Sequence, residues 1–180
     1  MEIKTKNTQL DGVLELFIKS FDDDRGSFVK TYHKKAFSEI GITETFVEEF
    51  FTISKKGVFR GMHFQIPPYD HSKLVYCTFG EVIDFVVDLR KGSKTYGSTI
   101  QFLLSADKYN MVYIPKGFAH GFYVLSDFAT MVYKVSSLHS MEHDNGILWS
   151  SLSINLPDDN LIISNRDKSF VSFADFVSPF

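Results

Sequence analysis

The chain has 180 residues and a formal charge of −3, enough for one domain with a sizeable core and without the basic excess of a nucleic-acid binder. Its single cysteine, Cys77, excludes an internal disulfide framework and a Cys-x-x-Cys zinc site. No stretch reaches the ~18 uninterrupted apolar residues of a membrane span, and the polar start MEIKTKNTQLDG lacks the apolar centre of a signal peptide, so the expectation is a soluble, cytoplasmic, single domain over residues 1–180.

The first turn signal is Asp22-Asp23-Asp24-Arg25-Gly26. KKAFSEIG then suits one or two helical turns closed by Gly41. After Lys55-Lys56-Gly57 comes VFRGMHFQ, residues 58–65, a strand-like apolar run that carries Arg60 and His63. An unpaired buried charge is costly, so these two residues need partners or a task. Pro67-Pro68 leads into KLVYCTFG and EVIDFVVDLR. In the latter, Val82, Asp84, Val86 and Asp88 face one way and Ile83, Phe85 and Val87 the other. STIQFLL, NMVYIP, HGFYVLS and ATMVYKVSS follow, punctuated by Ser105-Ala106-Asp107 and Pro115-Lys116-Gly117. Short strands with turns between them predict an antiparallel sandwich or barrel. ISNRDKSF reads as a loop or short helix, and the apolar SFADFVSPF predicts a docked C-terminus. The 19 phenylalanines suit a β core or an aromatic-lined pocket.

Of the six histidines, His63 and His120 stand beside glycines in strand-like settings, RGMH and AHGF. His120 follows the turn glycine of PKGFAH and would point into a barrel mouth, where small-ligand sites lie. Cupin barrels hold a metal between an HxH-type pair, a downstream Glu and a later PxGxxH. PKGFAH satisfies the later part, but Phe64-Gln65 follow His63, so the first part fails and no metal is expected. Taken singly, each histidine reads better as a hydrogen-bonded structural imidazole than as a functional one.

Six stretches occur in one order: FDDDRGSF, KKGVFRGMHFQIPP, KLVYCTFGEVIDFVVDLRKGSKTYG, YIPKGFAHGFYVLSD, MVYKVSS and ISNRDKSF. Together they resemble the nucleotide-sugar 3,5-epimerases of deoxysugar biosynthesis, typified by dTDP-4-dehydrorhamnose 3,5-epimerase. The resemblance implies a mainly β, cupin-like antiparallel jelly roll or barrel with a few short helices. It further implies no metal or cofactor, a homodimer, and a nucleotide-diphosphate 4-keto sugar as substrate, with no nucleic acid or membrane as partner. The reaction would remove a proton next to the C4 ketone and return one to the opposite face.

The same resemblance assigns roles. His63 would be the base, oriented by Asp167, and Tyr133 the acid on the other face. Lys73 would stabilise the enolate oxygen. Arg60 would pair with the diphosphate or sugar and Arg25 with the diphosphate, for which a guanidinium fork is suited. His120 would lie near the sugar, and Arg166 occupies a position the family makes basic. Each has a plainer reading: Asp167 and Arg25 as turn residues, Tyr133 as a strand aromatic, Lys73 as a surface lysine.

Departures gather around the nucleotide. After the Arg-Gly-x-Phe segment that contains Phe28, Lys30 stands where the dTDP enzymes carry a glutamate. Glu48-Glu49-Phe50 replaces a Gln-Asp-Asn segment, and Leu138-His139 replaces an aromatic. A lysine suits a base with an acceptor, such as cytosine N3 or guanine O6, so a CDP- or GDP-linked substrate stands beside dTDP. Inversion at one centre, a 3,4-ketoisomerase and a non-catalytic binder are the competing functions. The His63, Asp167 and Tyr133 set favours the epimerase.

Overall fold

The computed structural model describes residues 1–158 and 160–180. The strands are β1 (Ile3–Asn7), β2 (Leu14–Ile18), β3 (Ser20–Asp23), β4 (Gly26–Val29), β5 (Glu48–Lys55), β6 (Phe59–Gln65), β7 (Lys73–Phe79), β8 (Glu81–Asp88), β9 (Thr99–Ser105), β10 (Asn110–Ile114), β11 (Phe118–Val124), β12 (Phe128–Val135) and β13 (Asp144–Gly146). Two short α-helices, α1 (Lys34–Glu39) and α2 (Asn165–Lys168), and one 3-10 turn at Trp149–Ser151 complete the regular structure among the described residues. The expected strands are present, the stretch closed by Gly41 is α1, and ISNRDKSF contains α2. No helix among the described residues is long and apolar enough to cross a membrane.

The strands form two antiparallel sheets, in the orders β1-β2-β10-β7-β12-β5 and β13-β6-β11-β8-β9, with β3-β4 as a separate hairpin. This is the cupin-like jelly-roll arrangement that the sequence implies. The sheets enclose a shared core that includes Val75, Val82, Val86, Phe102, Leu104, Phe122 and Met131. Their outer faces are covered too. Phe59, Phe64, Phe85 and Val87 pack under C-terminal residues such as Trp149, Phe173, Phe176 and Phe180. Leu74, Tyr76, Met111 and Tyr113 pack under Phe37 and Ile42, from α1 and the turn after it. The docked C-terminus expected from SFADFVSPF is therefore observed.

Burial on both faces explains why β8 alternates within an almost wholly buried strand. Its inward Val82 and Val86 meet the inner core, and its outward Phe85 and Val87 meet the C-terminal layer. Asp84 and Asp88 are buried with the inward set. Asp88 is satisfied by Arg90, Ser93 and Thr95. Burial would raise its carboxyl, but the Arg90 bond and those of its neighbours outweigh that and bring it down to about 2.

The pairing of β6 with β11 contains an irregularity on which the site depends. His63 lies opposite His120, and Arg60 opposite Phe122, so three steps along β6 match two along β11. In a regular strand, residues three apart point to opposite faces. The bulge at Gly61-Met62 resets the alternation, so Arg60 and His63 both reach the space between the sheets. Arg60 is correspondingly open to solvent rather than buried as its apolar neighbours suggest, and its Nε donates to Ser54 Oγ at 3.0 Å.

Gly61 takes φ +145°, and a Cβ there would stand 2.6 Å from the Cα of Gly121. This close approach accounts for the glycines of RGMH and AHGF. Gly61→Ala should therefore cost ~1–3 kcal/mol, the usual range for forced overpacking. Its urea midpoint should fall with little change in slope, and an unchanged midpoint would contradict the close approach.

Candidate active site

A cavity of about 370 Å³ opens between the sheets. β5, β7 and β12 contribute from one sheet and β6 and β11 from the other, with loop residues at the rim. Of the sequence-predicted residues, Glu48, Arg60, His63, Lys73, His120, Tyr133 and Arg166 line this one cavity. Asp167 stands directly behind His63.

Asp167 is buried, and its position is fixed at three points. Its backbone N–H donates to Ser164 Oγ, the cap of α2, at 3.0 Å. Its Oδ2 accepts the Gly61 N–H at 3.1 Å. Its Oδ1 lies 2.9 Å from His63 Nε2. Burial would raise the carboxyl, but the bond and charge of His63, then the Gly61 and Ser164 donors, hold it below the usual range. The carboxylate therefore accepts the Nε2 proton and leaves the Nδ1 lone pair of His63 free. The Phe170 ring meets His63 edge-on at 5.7 Å and restrains it further.

Lys73 is buried at the cavity wall and donates to the His63 carbonyl at 3.0 Å. Burial pushes its ammonium down to about 8, against the pull of Asp144 and Asp84. His120 is cross-strand from His63 and bonds Asp84 Oδ2 through Nε2 at 2.6 Å. Burial drives Asp84 up and His120 down, so both are pushed toward their neutral forms.

Tyr133 comes from the opposite sheet to His63 and is only 7% exposed. Burial raises its phenol well above the ordinary value, so at neutral pH it is a proton donor. Arg166 lies at the rim, bonded to Asp144 at 2.7 Å and stacked over Phe170.

Arg25, Phe28 and Lys30 are not at this cavity. They lie on or just after the β3–β4 hairpin and are exposed, and Arg25 is paired with Asp23. The cavity also contains residues outside the predicted set. Phe50 and Thr52 share a strand face with Glu48, so strict alternation along β5 was a signal that could have found them. His71, which accepts from Gln65, is brought to the wall by a loop, and burial pushes it down to about 3. His139 arrives from a loop as well, its N–H donating to Glu48 at 2.9 Å, whereas Asp144 opens the short edge strand β13 opposite Gln65. Loop placement has no sequence period to betray it.

A family model described as dTDP-4-dehydrorhamnose 3,5-epimerase matches residues 7–175. The enzyme of that name from Shigella flexneri is 43% identical over 171 residues, covering 93% of this chain and 94% of that protein. The one from Escherichia coli K12 is 40% identical over 174 residues, covering 94% of each. The crystal structure of dTDP-6-deoxy-D-glucose-3,5-epimerase from Legionella pneumophila, in complex with dTDP-4-keto-L-rhamnose, superimposes with a TM-score of 0.94. It is 36% identical, and the match covers 98% of this chain and 95% of that one.

The buried lysine has a consequence for stability. Its folded pKa, about 8, lies below the unfolded value of 10.5, so the unfolded chain binds the extra proton between them. This group's contribution therefore makes stability rise with pH from about 8 to 10.5. Comparing urea midpoints of the wild type and Lys73→Met across that window should show the rise only in the wild type. Parallel curves would mean that Lys73 is not held in a desolvated site.

Proposed function

The chain belongs to the dTDP-4-dehydrorhamnose 3,5-epimerase family, and on that premise we propose that it inverts the carbons flanking the C4 ketone of a nucleotide-linked 4-keto-6-deoxy sugar. It is an isomerase whose catalytic unit spans the chain, and it needs no cofactor. The observation that carries this reading is the opposition of two groups across one cavity. His63, oriented by Asp167, is on β6 of one sheet, and Tyr133 is on β12 of the other.

His63 Nδ1 removes the proton from the carbon next to the ketone, and the electron pair moves onto the C4 oxygen. The Lys73 ammonium stabilises that developing charge from a desolvated position, where charge stabilisation is strongest. Tyr133 gives its hydroxyl proton to the opposite face and inverts the centre. Solvent then reprotonates the phenolate and takes the proton from His63. Arg60 and Arg166 supply positive charge for the diphosphate, with His120 beside the sugar.

Arg25, Phe28 and Lys30 enter this reading through a second copy of the chain. β5 ends its sheet with a free edge, and it exposes Phe51 and Ile53, as the hairpin exposes Phe21 and Phe28. Exposed edge strands with apolar side chains favour pairing between chains. In the homodimer, the hairpin of one copy completes the nucleotide end of the other's cavity, and Lys30 meets the base there.

Three tests follow from the roles. His63→Asn should leave nucleotide-sugar binding nearly unchanged and lower turnover by about 10²–10⁴, the worth of a general base. In heavy water the wild type should incorporate deuterium at C3 and C5. Deuterium at one carbon would mark a single-centre enzyme, and none would sink the epimerase reading. Run with dTDP-, UDP-, CDP- and GDP-linked substrates, the same assay identifies the nucleotide. Turnover should also fall as pH rises through about 8, where Lys73 loses its proton.

The shared site has its own test. Arg25→Ala should raise KM roughly tenfold, the scale of a lost charged hydrogen bond. Mixing that variant with His63→Asn should restore activity at low substrate, because mixed dimers contain one intact site. No recovery, with dimers verified by sedimentation, would place the hairpin's role within its own chain or outside catalysis.

A further inference from the structure

We infer that Phe50 is a positioning residue for Tyr133, one that sets how often an abstracted proton is answered by inversion rather than by return. The inference rests on the epimerase reading, in which Tyr133 is the acid. Phe50 lies directly opposite Tyr133 in the β5–β12 ladder. Their rings are stacked, with centroids 4.8 Å apart and planes 12° apart. The edge of His120 meets Tyr133 at 5.9 Å and 74°. The phenol ring is therefore clamped between one aromatic face and one imidazole edge.

Hydrogen bonding is at most a weak restraint on the phenol: against the dominant effect of burial, Thr52 is close enough to pull its pKa down slightly, but it does not reach hydrogen-bonding geometry. The nearby Thr52 hydroxyl is buried and has no hydrogen-bond partner among the described residues. Ring packing against Phe50 and His120 is the closest restraint on where the phenol points. Phe50 also lines the cavity and is 42% exposed within a single chain, on the edge strand of its sheet. Its partial exposure makes it a small contributor to the core, whereas its stacked face bears on one functional side chain. A cross-strand aromatic pair at an edge is also an ordinary source of sheet stability, so the test needs a readout that stability alone does not move.

Proton transfer supplies one. His63 alone can abstract a proton, exchange it with solvent and return it to the same face. Inversion also needs Tyr133 at bonding distance on the other face, and small misplacements of a donor are costly. In heavy water, deuterium with retained configuration therefore reports abstraction, and deuterium with inverted configuration reports delivery by Tyr133.

Phe50→Ala should lower inversion about tenfold while retained exchange changes less than about twofold. Phe50→Tyr, which keeps the stacked face, should restore the wild-type ratio, and Phe50→Leu, which keeps bulk without that face, should resemble alanine. Thermal melts of all three identify any variant that is merely unfolded, and Phe50→Leu decides the matter if alanine is. A proportional fall in both exchanges, or an unchanged ratio, would overturn the positioning role. If the wild type itself shows no exchange, the epimerase reading fails and takes this role with it.

Discussion

A buried carboxylate ties the molecule together. Asp167 would be costly alone, since removing the partner of a buried ion pair typically costs ~3–5 kcal/mol. It is satisfied instead by two donors from one distant strand, β6: the Gly61 N–H and the His63 ring. Those bonds draw the C-terminal segment onto β6, beside the aromatic layer of Trp149, Phe173, Phe176 and Phe180. They also set the tautomer of His63. The same carboxylate thus docks the outer layer and orients the His63 ring.

The two sheets impose a second condition. Deep between the sheets, away from the cavity mouth, polar side chains are in a dry setting and are costly without partners. Asp84 finds His120, and Lys73 finds the His63 carbonyl. Desolvation then moves these groups away from their ordinary ionisation: Lys73 toward neutrality, Tyr133 toward a persistent phenol. The cavity therefore combines a free imidazole nitrogen, an ammonium near its titration point and a protonated phenol. That is the inventory on which the proposed enolate chemistry draws.

The bulge in β6 joins these conditions. Without it, Arg60 and His63 would point to opposite sides of their sheet. Its position is set by the near contact of Gly61 with Gly121, which no larger residue permits. One irregularity in a ladder thus decides whether Arg60 and His63 share a cavity. The hairpin shows the reverse case, with Arg25, Phe28 and Lys30 well formed on β3–β4 or beside it yet outside the cavity of their own chain.

The sequence by itself determined the strand-rich architecture, since period-two alternation and closely spaced turn signals depend only on local chemistry. It also brought His63, Lys73, Tyr133 and Asp167 forward as candidates, because they stand in ordered motifs. Only the tertiary structure decided that Arg60 is open rather than buried, that the phenol of Tyr133 is stacked on Phe50, and that His71, His139 and Asp144 join the wall. It also decided that the hairpin lies apart. The physical reason is common to all four. Alternation states which face of a strand a side chain occupies, whereas a shared cavity depends on register, bulges and loop paths between segments up to 106 residues apart, as Gly61 and Asp167 are.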